Sequence, residues 1–325
     1  MSRVDDLMGL IQTTNEIYLI NPFINVRSAY IQIDDICELA MKSWLQIDTI
    51  HRQQHCQDEL TRNNIIRNRG HRDRLRNYFD RLIDEHTLQT NLGIATGSAE
   101  YTLLQGQINA NLVNGEQTLL KWSPDLAGTN RFKNFHDIIE EVKDRTALPA
   151  NDPLYNVLDQ IQHRRDNRNH FFHDHDQAGL TVNDKNCLDA FMDLFFLMAS
   201  LFPNEYPQSV RANSVVQAQI AIIRLKFKGY TTRVAEEEYK SFLREHGVVR
   251  INYGSFGHEI SVIYNDTGSL LRRIQQQFRA KIGEIQNKID HINGLQRRSR
   301  EHVKLLEALQ SQLETFQTIY DDCLS

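Results

Sequence analysis

The chain has 325 residues, enough for two or three domains and a sizeable core. Its net charge of −5 excludes a global basic field, so any nucleic-acid contact has to come from local patches. Cys37, Cys56, Cys187 and Cys323 stand far apart with no C-x-x-C pair, which argues against a structural zinc site and fits a reducing, cytoplasmic setting.

Met1 to Leu10 carries Asp5 and Asp6 and no long apolar run, so no signal peptide is expected. Tyr30 to Leu45 is an amphipathic helix with Ile33, Ile36, Ala40 and Trp44 on one face. Asp34 and Asp35 sit at its N-terminal side, where the helix dipole favours them. His51 to Arg81 is polar and rich in Arg and Asn; it reads as helical with a break near Gly70, mostly solvated or at an interface. Leu92 to Thr129, rich in Gly, Asn, Thr and Ser, reads as loops with short strands, inside an insertion of about residues 86–150. Phe135 to Arg145 resumes a helix that Leu148-Pro149 ends.

The next helix carries the most informative segment. Leu154, Leu158, Ile161, Arg165, Arg168, Phe172 and His175 step by 3, 4 and 7, one helix face that begins apolar and turns cationic. Within it, Arg168-Asn169-His170-Phe171-Phe172-His173 reads R-N-x-x-x-H. The spacing alone does not distinguish this segment, since Arg81/His86, Arg131/His136 and Arg297/His302 share it. Its place at the end of an amphipathic helix, before an apolar one, does. An Arg on an inward seam is costly without a partner or a shared cleft.

Asn183 or Asp184 caps the following helix, which is apolar nearly all round and runs to Leu201 before Phe202-Pro203. Its apolar stretch, Leu188 to Phe202, holds Asp189 and Asp193 and is too short for a membrane span, so no membrane partner is expected. Val215 to Lys228 and Ala235 to His246 are helix candidates, and Val248 to Asn252 and His258 to Tyr264 alternate like paired strands. This small α+β segment reads as a plain linker domain or a winged-helix-like module; Glu236, Glu237 and Glu238 on a recognition helix would repel phosphate, which argues against DNA binding. From Leu271 to Ile292, and again from Val303 to Tyr320, apolar residues recur at 3–4 spacing around a polar break at Arg297 to His302. That pattern predicts a coiled-coil or helical-hairpin arm, paired either within the chain or with a second one.

Charge is uneven along these parts. Residues 1–205 carry −9, residues 206–262 carry +3 and residues 263–325 carry +1. No G-x-x-x-x-G-K-[ST] or G-x-G-x-x-G occurs, so no nucleotide cofactor is expected, and no acidic cluster beside the motif suggests a metal.

In the order of its early D-D-I-x-E-L-A-x-K-x-W-L helix, its late R-N-x-x-x-H and the apolar helix after it, residues 1–205 resemble the HEPN superfamily. The resemblance implies a HEPN-like helical bundle at 1–205; with the small α+β segment at 206–265 and the helical arm at 266–325 read from their own patterns, the expected fold is mainly α. It also implies a metal-independent endoribonuclease, acting as an effector in phage defence or a toxin–antitoxin system. RNA and a second copy of the chain would be its partners, with a regulatory or antitoxin protein beside them. Arg168, Asn169 and His173 would be catalytic, with His175 and then His170 as alternatives to His173, and Arg164 and Arg165 would bind substrate. On an unbroken helix Arg168 and His175 share a face while His173 lies about 140° away. Either the helix ends near Phe171 or the pairing forms across a dimer. The competing reading is a non-catalytic HEPN-like dimer that scaffolds a partner through its arm.

Overall fold

The computed structural model describes residues 3–20, 22–79, 90–111, 135–149, 151–173, 182–231, 241–242, 250–254, 257–261, 267–295 and 299–325. These are mainly helical. In chain order the helices are α1 (Arg3–Ile20), α2 (Pro22–Arg62), α3 (Arg69–Phe79), α4 (Ala99–Asn111), α5 (Phe135–Thr146) and α6 (Pro153–His173). Then come α7 (Asp184–Leu201), α8 (Glu205–Ala212), α9 (Ser214–Thr231), the strands β1 (Arg250–Gly254) and β2 (Gly257–Ser261), α10 (Thr267–Asn293) and α11 (Arg300–Cys323). The strands pair antiparallel with Ile251 opposite Ile260 and Gly254 opposite Gly257. No single helix among the described residues is long and apolar enough to cross a membrane.

The chain divides into two compact units: Met1–Cys37 with His163–Ser325, and Glu38–Gln162. These boundaries differ from the segments 1–205, 206–265 and 266–325 expected from composition. The physical reason is α9, whose Val216, Ile222, Ile223 and Leu225 are fully buried. It packs against α1, α7, α8, α10 and α11, so the C-terminal part shares one core with the N-terminus. Residues 3–20, for which the sequence reading offered no element, form part of that core. Val4, Leu7, Ile11 and Tyr18 recur at helical spacing and are buried.

The helix ends of the first unit have local causes. Asn183 caps α7 by accepting from the Asn186 backbone N–H, and Asp184 lies in the first turn, where the dipole favours it. Ser299 and His302 form a reciprocal capping box that starts α11, inside the polar break of the arm. Here α10 and α11 pack against each other within the chain. Phe278 of α10 and Phe316 of α11 both meet the ring of Phe242 edge-on, at centroid distances of 4.8 and 5.4 Å.

The second unit refines the sequence reading in one place and departs from it in another. The break expected near Gly70 falls just before it, at residues 63–68, and Gly70 itself lies in the first turn of α3. Asn64 takes φ 60, a left-handed conformation that Asn tolerates, and the Ile65 backbone N–H closes the end on the Leu60 carbonyl at 2.8 Å. Residues 99–111, expected as loops and strands, are helical instead. Leu104 and Ile108 of α4 join Cys56, Leu60, Ile66 and Leu75 in one buried cluster, so burial overrides a polar local composition.

Candidate functional site

Helix α6 is continuous through His173 and does not end near Phe171. Positions 168 and 173 therefore stand on one regular helix, about 140° apart around its axis. Arg168, Asn169, His170 and His173 occupy its last turns; the side chains of residues 167–173, and all of His175, lie outside the described residues.

The turn just before the motif is described and is tied down. Arg164 is 8% exposed, and its Nη1 donates to Oδ2 of Asp193 on α7. Burial works against the Arg164 charge, but Asp193 more than offsets it and holds the guanidinium pKa above its ordinary value. Nε and Nη2 of Arg164 are buried without a hydrogen-bond partner among the described residues, which makes this pair costly to assemble and more costly to break. Tyr30 of α2 lies in the field of the same guanidinium; burial pushes its phenol up to about 12, against the opposing pull of Arg164. The neighbouring Arg165 donates from Nη1 to Oδ1 of Asp35, at 3.2 Å and with both groups partly solvated. Of the two arginines expected to bind substrate, one is thus a buried strut between α6 and α7, and the other is an ion pair at the surface.

A separate basic cleft lies in the unit Glu38–Gln162. Residues 62–76 hold six arginines and one acid, Asp73, in a chain of net charge −5. The break after α2 and the start of α3 form a cavity of about 450 Å³, lined by Gln54, Gln57, Thr61, Arg67, Arg69 and Arg72 with Asp73 beside them. Asn68 caps α3 by accepting from the His71 backbone N–H at 3.0 Å, which orients that first turn. The side chains of Arg69 and Arg72 make no ion pair among the described residues. Several cations around amide and hydroxyl groups suit a phosphate backbone, which needs charge and adaptable hydrogen bonds. The Arg- and Asn-rich composition was visible in sequence. The concavity was not, because it depends on where α2 stops.

One buried cluster left no trace in the motif reading. Lys226 of α9 is 1% exposed and donates to the Tyr18 hydroxyl at 2.7 Å and to Asp184 Oδ1 at 3.0 Å. Tyr18 in turn donates to the same carboxylate oxygen at 2.6 Å. Burial lowers the Lys226 pKa, with Asp184 pulling the other way. A Lys inside the largely apolar stretch from Ile220 to Phe227, which also holds Arg224, was the available signal. The cluster joins α1, α7 and α9 and satisfies its own members, as buried polar networks must.

Comparison with protein-family models, with curated proteins and with solved structures gives no match.

Proposed function

We propose that the chain is a metal-independent endoribonuclease of HEPN type, whose reacting groups are Arg168, Asn169 and His173. The observation that carries this reading is an R-N-x-x-x-H segment closing a helix whose preceding turn is held by Arg164–Asp193 and Arg165–Asp35. Catalytic groups need such a rigid mount. RNA brings its own nucleophile, the 2′-OH. His173 takes that proton or protonates the departing 5′-oxygen, and Arg168 binds the phosphoryl oxygens in a bidentate fork and stabilises the charge that develops. The P–O5′ bond breaks as the O2′–P bond forms, leaving a 2′,3′-cyclic phosphate and a 5′-OH. Asn169 orients the site by hydrogen bonding. The basic cleft of Arg67, Arg69 and Arg72 supports an RNA substrate, since it supplies the local positive charge that the whole chain lacks.

We place the pairing across two copies of the chain, with Arg168 of one meeting His173 of the other, a reading that the continuity of α6 to His173 supports. The family to which the sequence is similar serves phage defence and toxin–antitoxin systems, and we assign the chain an effector role of that kind, in the cytoplasm and under control of a regulatory or antitoxin partner. The test is cleavage of a labelled RNA in the presence of EDTA. Wild type should cut, and the products should carry cyclic phosphate. Full inhibition by EDTA, or equal activity in His173→Ala, would overturn the assignment.

A second reading, a non-catalytic scaffold, draws on the arm. Val303 and Leu305 of α11 are 46% and 50% exposed, apolar positions suited to a partner helix. A chain inert toward RNA that still forms a stable complex through α11 would favour it.

A further inference from the structure

The arginine cleft of the unit Glu38–Gln162 holds an acid as well as its cations, and that acid is unengaged. Charges close to it in sequence have partners. Glu59 pairs with Arg62, Asp58 accepts from the Gln54 amide at 2.8 Å, and Arg74 donates to the Asn91 carbonyl at 2.8 Å. Arg69, Arg72 and Asp73 differ. All three are exposed, line the same cavity of about 450 Å³ and make no side-chain hydrogen bond or ion pair among the described residues. Asp73 follows Arg69 by four positions on α3, a spacing at which opposite charges meet on a helix, and it stands next to Arg72. Its carboxylate is nevertheless left open.

A site for phosphate alone gains nothing from such a carboxylate, which repels it at close range. The ligand that suits both groups carries anionic oxygens with a donating hydroxyl nearby. The backbone of RNA has that pair, because a 2′-OH, donor and acceptor at once, accompanies each phosphate and is missing from DNA. Thr61 adds a second acceptor to the wall. Its hydroxyl proton goes to the Gln57 carbonyl at 2.7 Å, so only its lone pairs remain for a ligand. None of the described residues lining the cleft is aromatic, so it offers no platform on which bases stack. Contact is therefore with the backbone, and base identity matters little. The concavity selects strandedness: a cavity of this size admits the backbone of one strand, whereas a rigid and far wider duplex can only lie across its mouth.

We propose that this cleft binds the backbone of single-stranded RNA in preference to DNA, with phosphates on Arg69 and Arg72 and a ribose 2′-OH donating to the Asp73 carboxylate. The proposal deepens the ribonuclease reading and rests on it only for the ligand being a polynucleotide. It assigns to α3, remote in sequence from Arg168 and His173, a point at which ribose is told from deoxyribose.

Fluorescence anisotropy of the full chain carrying His173→Ala, which stops cleavage under that reading, tests it. The probes are labelled oligouridylate and oligodeoxyuridylate of about 12 nucleotides and an RNA duplex of the same length. Oligouridylate should bind at least about tenfold more tightly than oligodeoxyuridylate, the scale of a hydrogen bond to a charged group, and more tightly than the duplex. Arg69→Gln and Arg72→Gln should each weaken both single strands by a similar factor and leave their ratio alone. Asp73→Ala separates the proposal from plain electrostatics. Loss of a negative charge tightens any polyanion equally. If the carboxylate accepts from ribose, the DNA strand gains and the RNA strand does not, so the ratio falls toward one. Melting temperatures should stay within a few degrees, since all three side chains are exposed and unbonded. Equal binding of the two single strands by the parent overturns the proposal. So does an unchanged ratio in Asp73→Ala, duplex binding as tight as single-strand binding, or binding that both arginine variants leave intact. Cleavage by the wild type is read separately: a chain that cuts RNA without this preference keeps the ribonuclease reading and loses this one, and a chain that binds as described but never cuts does the reverse.

Discussion

Arg164, on the motif helix one turn before Arg168, and Asp193, in the middle of the next helix, form an ion pair whose side chains are only 10% and 11% exposed. The pair fixes where α6 ends relative to α7, and therefore where the R-N-x-x-x-H segment begins. Two spare donors on Arg164 are buried with it, so the pair is a positional device bought at a cost in stability. Removing one partner strands the other charge. Asp193→Asn and Arg164→Met should each lower the unfolding free energy by about 3–5 kcal/mol, measured by urea titration. The double variant Arg164→Met/Asp193→Leu should lose clearly less than the two together. Strict additivity would show that the groups do not interact in solution.

Pairing Arg168 of one copy with His173 of the other predicts complementation. Arg168→Ala and His173→Ala homodimers should each lose RNA cleavage by at least about a hundredfold. Mixing the two variants should restore activity, because one of the two clefts in each heterodimer then pairs an intact Arg168 with an intact His173. If each site lay within one chain, every cleft in the mixture would carry a lesion and activity would stay lost. A rescue near half the wild-type rate per heterodimer is the expected result, read from initial rates after mixing and re-equilibration.

The cleft beside α3 should be read out through salt. Arg69→Gln and Arg72→Gln should each weaken binding of a single-stranded RNA and reduce the slope of log K against log salt by about 0.7, the increment for one phosphate contact on a single strand. Unfolding midpoints should hardly move, since neither side chain makes an ion pair among the described residues. A slope that is identical in wild type and both variants would remove this surface from the RNA path.

Alkaline pH should weaken the fold. Burial pushes the Cys56 thiol up to about 12 and the Cys323 thiol up to about 11, from an ordinary 9.0. Cys37 and Cys187 are raised further by the same cause. Each group is protonated in both states below its unfolded pKa, so its stabilisation is complete there. As pH rises past 9 the unfolded chain ionises and the folded chain does not, and that stabilisation is lost progressively until the folded values are reached. Lys226 acts in the opposite sense, because burial lowers its pKa and folding then favours the deprotonated form between that value and 10.5. One lysine against four thiols leaves a net loss. The urea midpoint should fall between pH 8.5 and 10.5, and Cys37→Ala/Cys187→Ala should flatten the fall. A midpoint that climbs over this range would give the decision to Lys226.

Local sequence carried much of the helical architecture. The Asn183 cap, the 3–4 apolar spacing of Leu271 to Ile292 and the polar break before Val303 each specify a backbone event through hydrogen bonds or periodicity within a few residues. Local reading failed where burial overrode composition, as in residues 99–111, whose polar character conceals the inward Leu104 and Ile108. It found the break near Gly70 but not its cause, the left-handed Asn64 that ends α2 a few residues earlier.

By itself, then, the sequence determined that the chain is mainly helical, and it marked about half of the helices and the one segment where Arg, Asn and His crowd a helix end. Only the tertiary structure decided what adjacent cations do. Arg164 and Arg165 are neighbours in sequence, yet one is a buried strut on Asp193 and the other is a surface pair with Asp35. Successive residues on a helix point about 100° apart, so which of them meets a carboxylate depends on where α7 and α2 lie. The same holds for Tyr18 and Lys226, 208 residues apart in the chain and 2.7 Å apart in the core. No local pattern encodes such a contact, because it forms only when remote apolar faces bury one another.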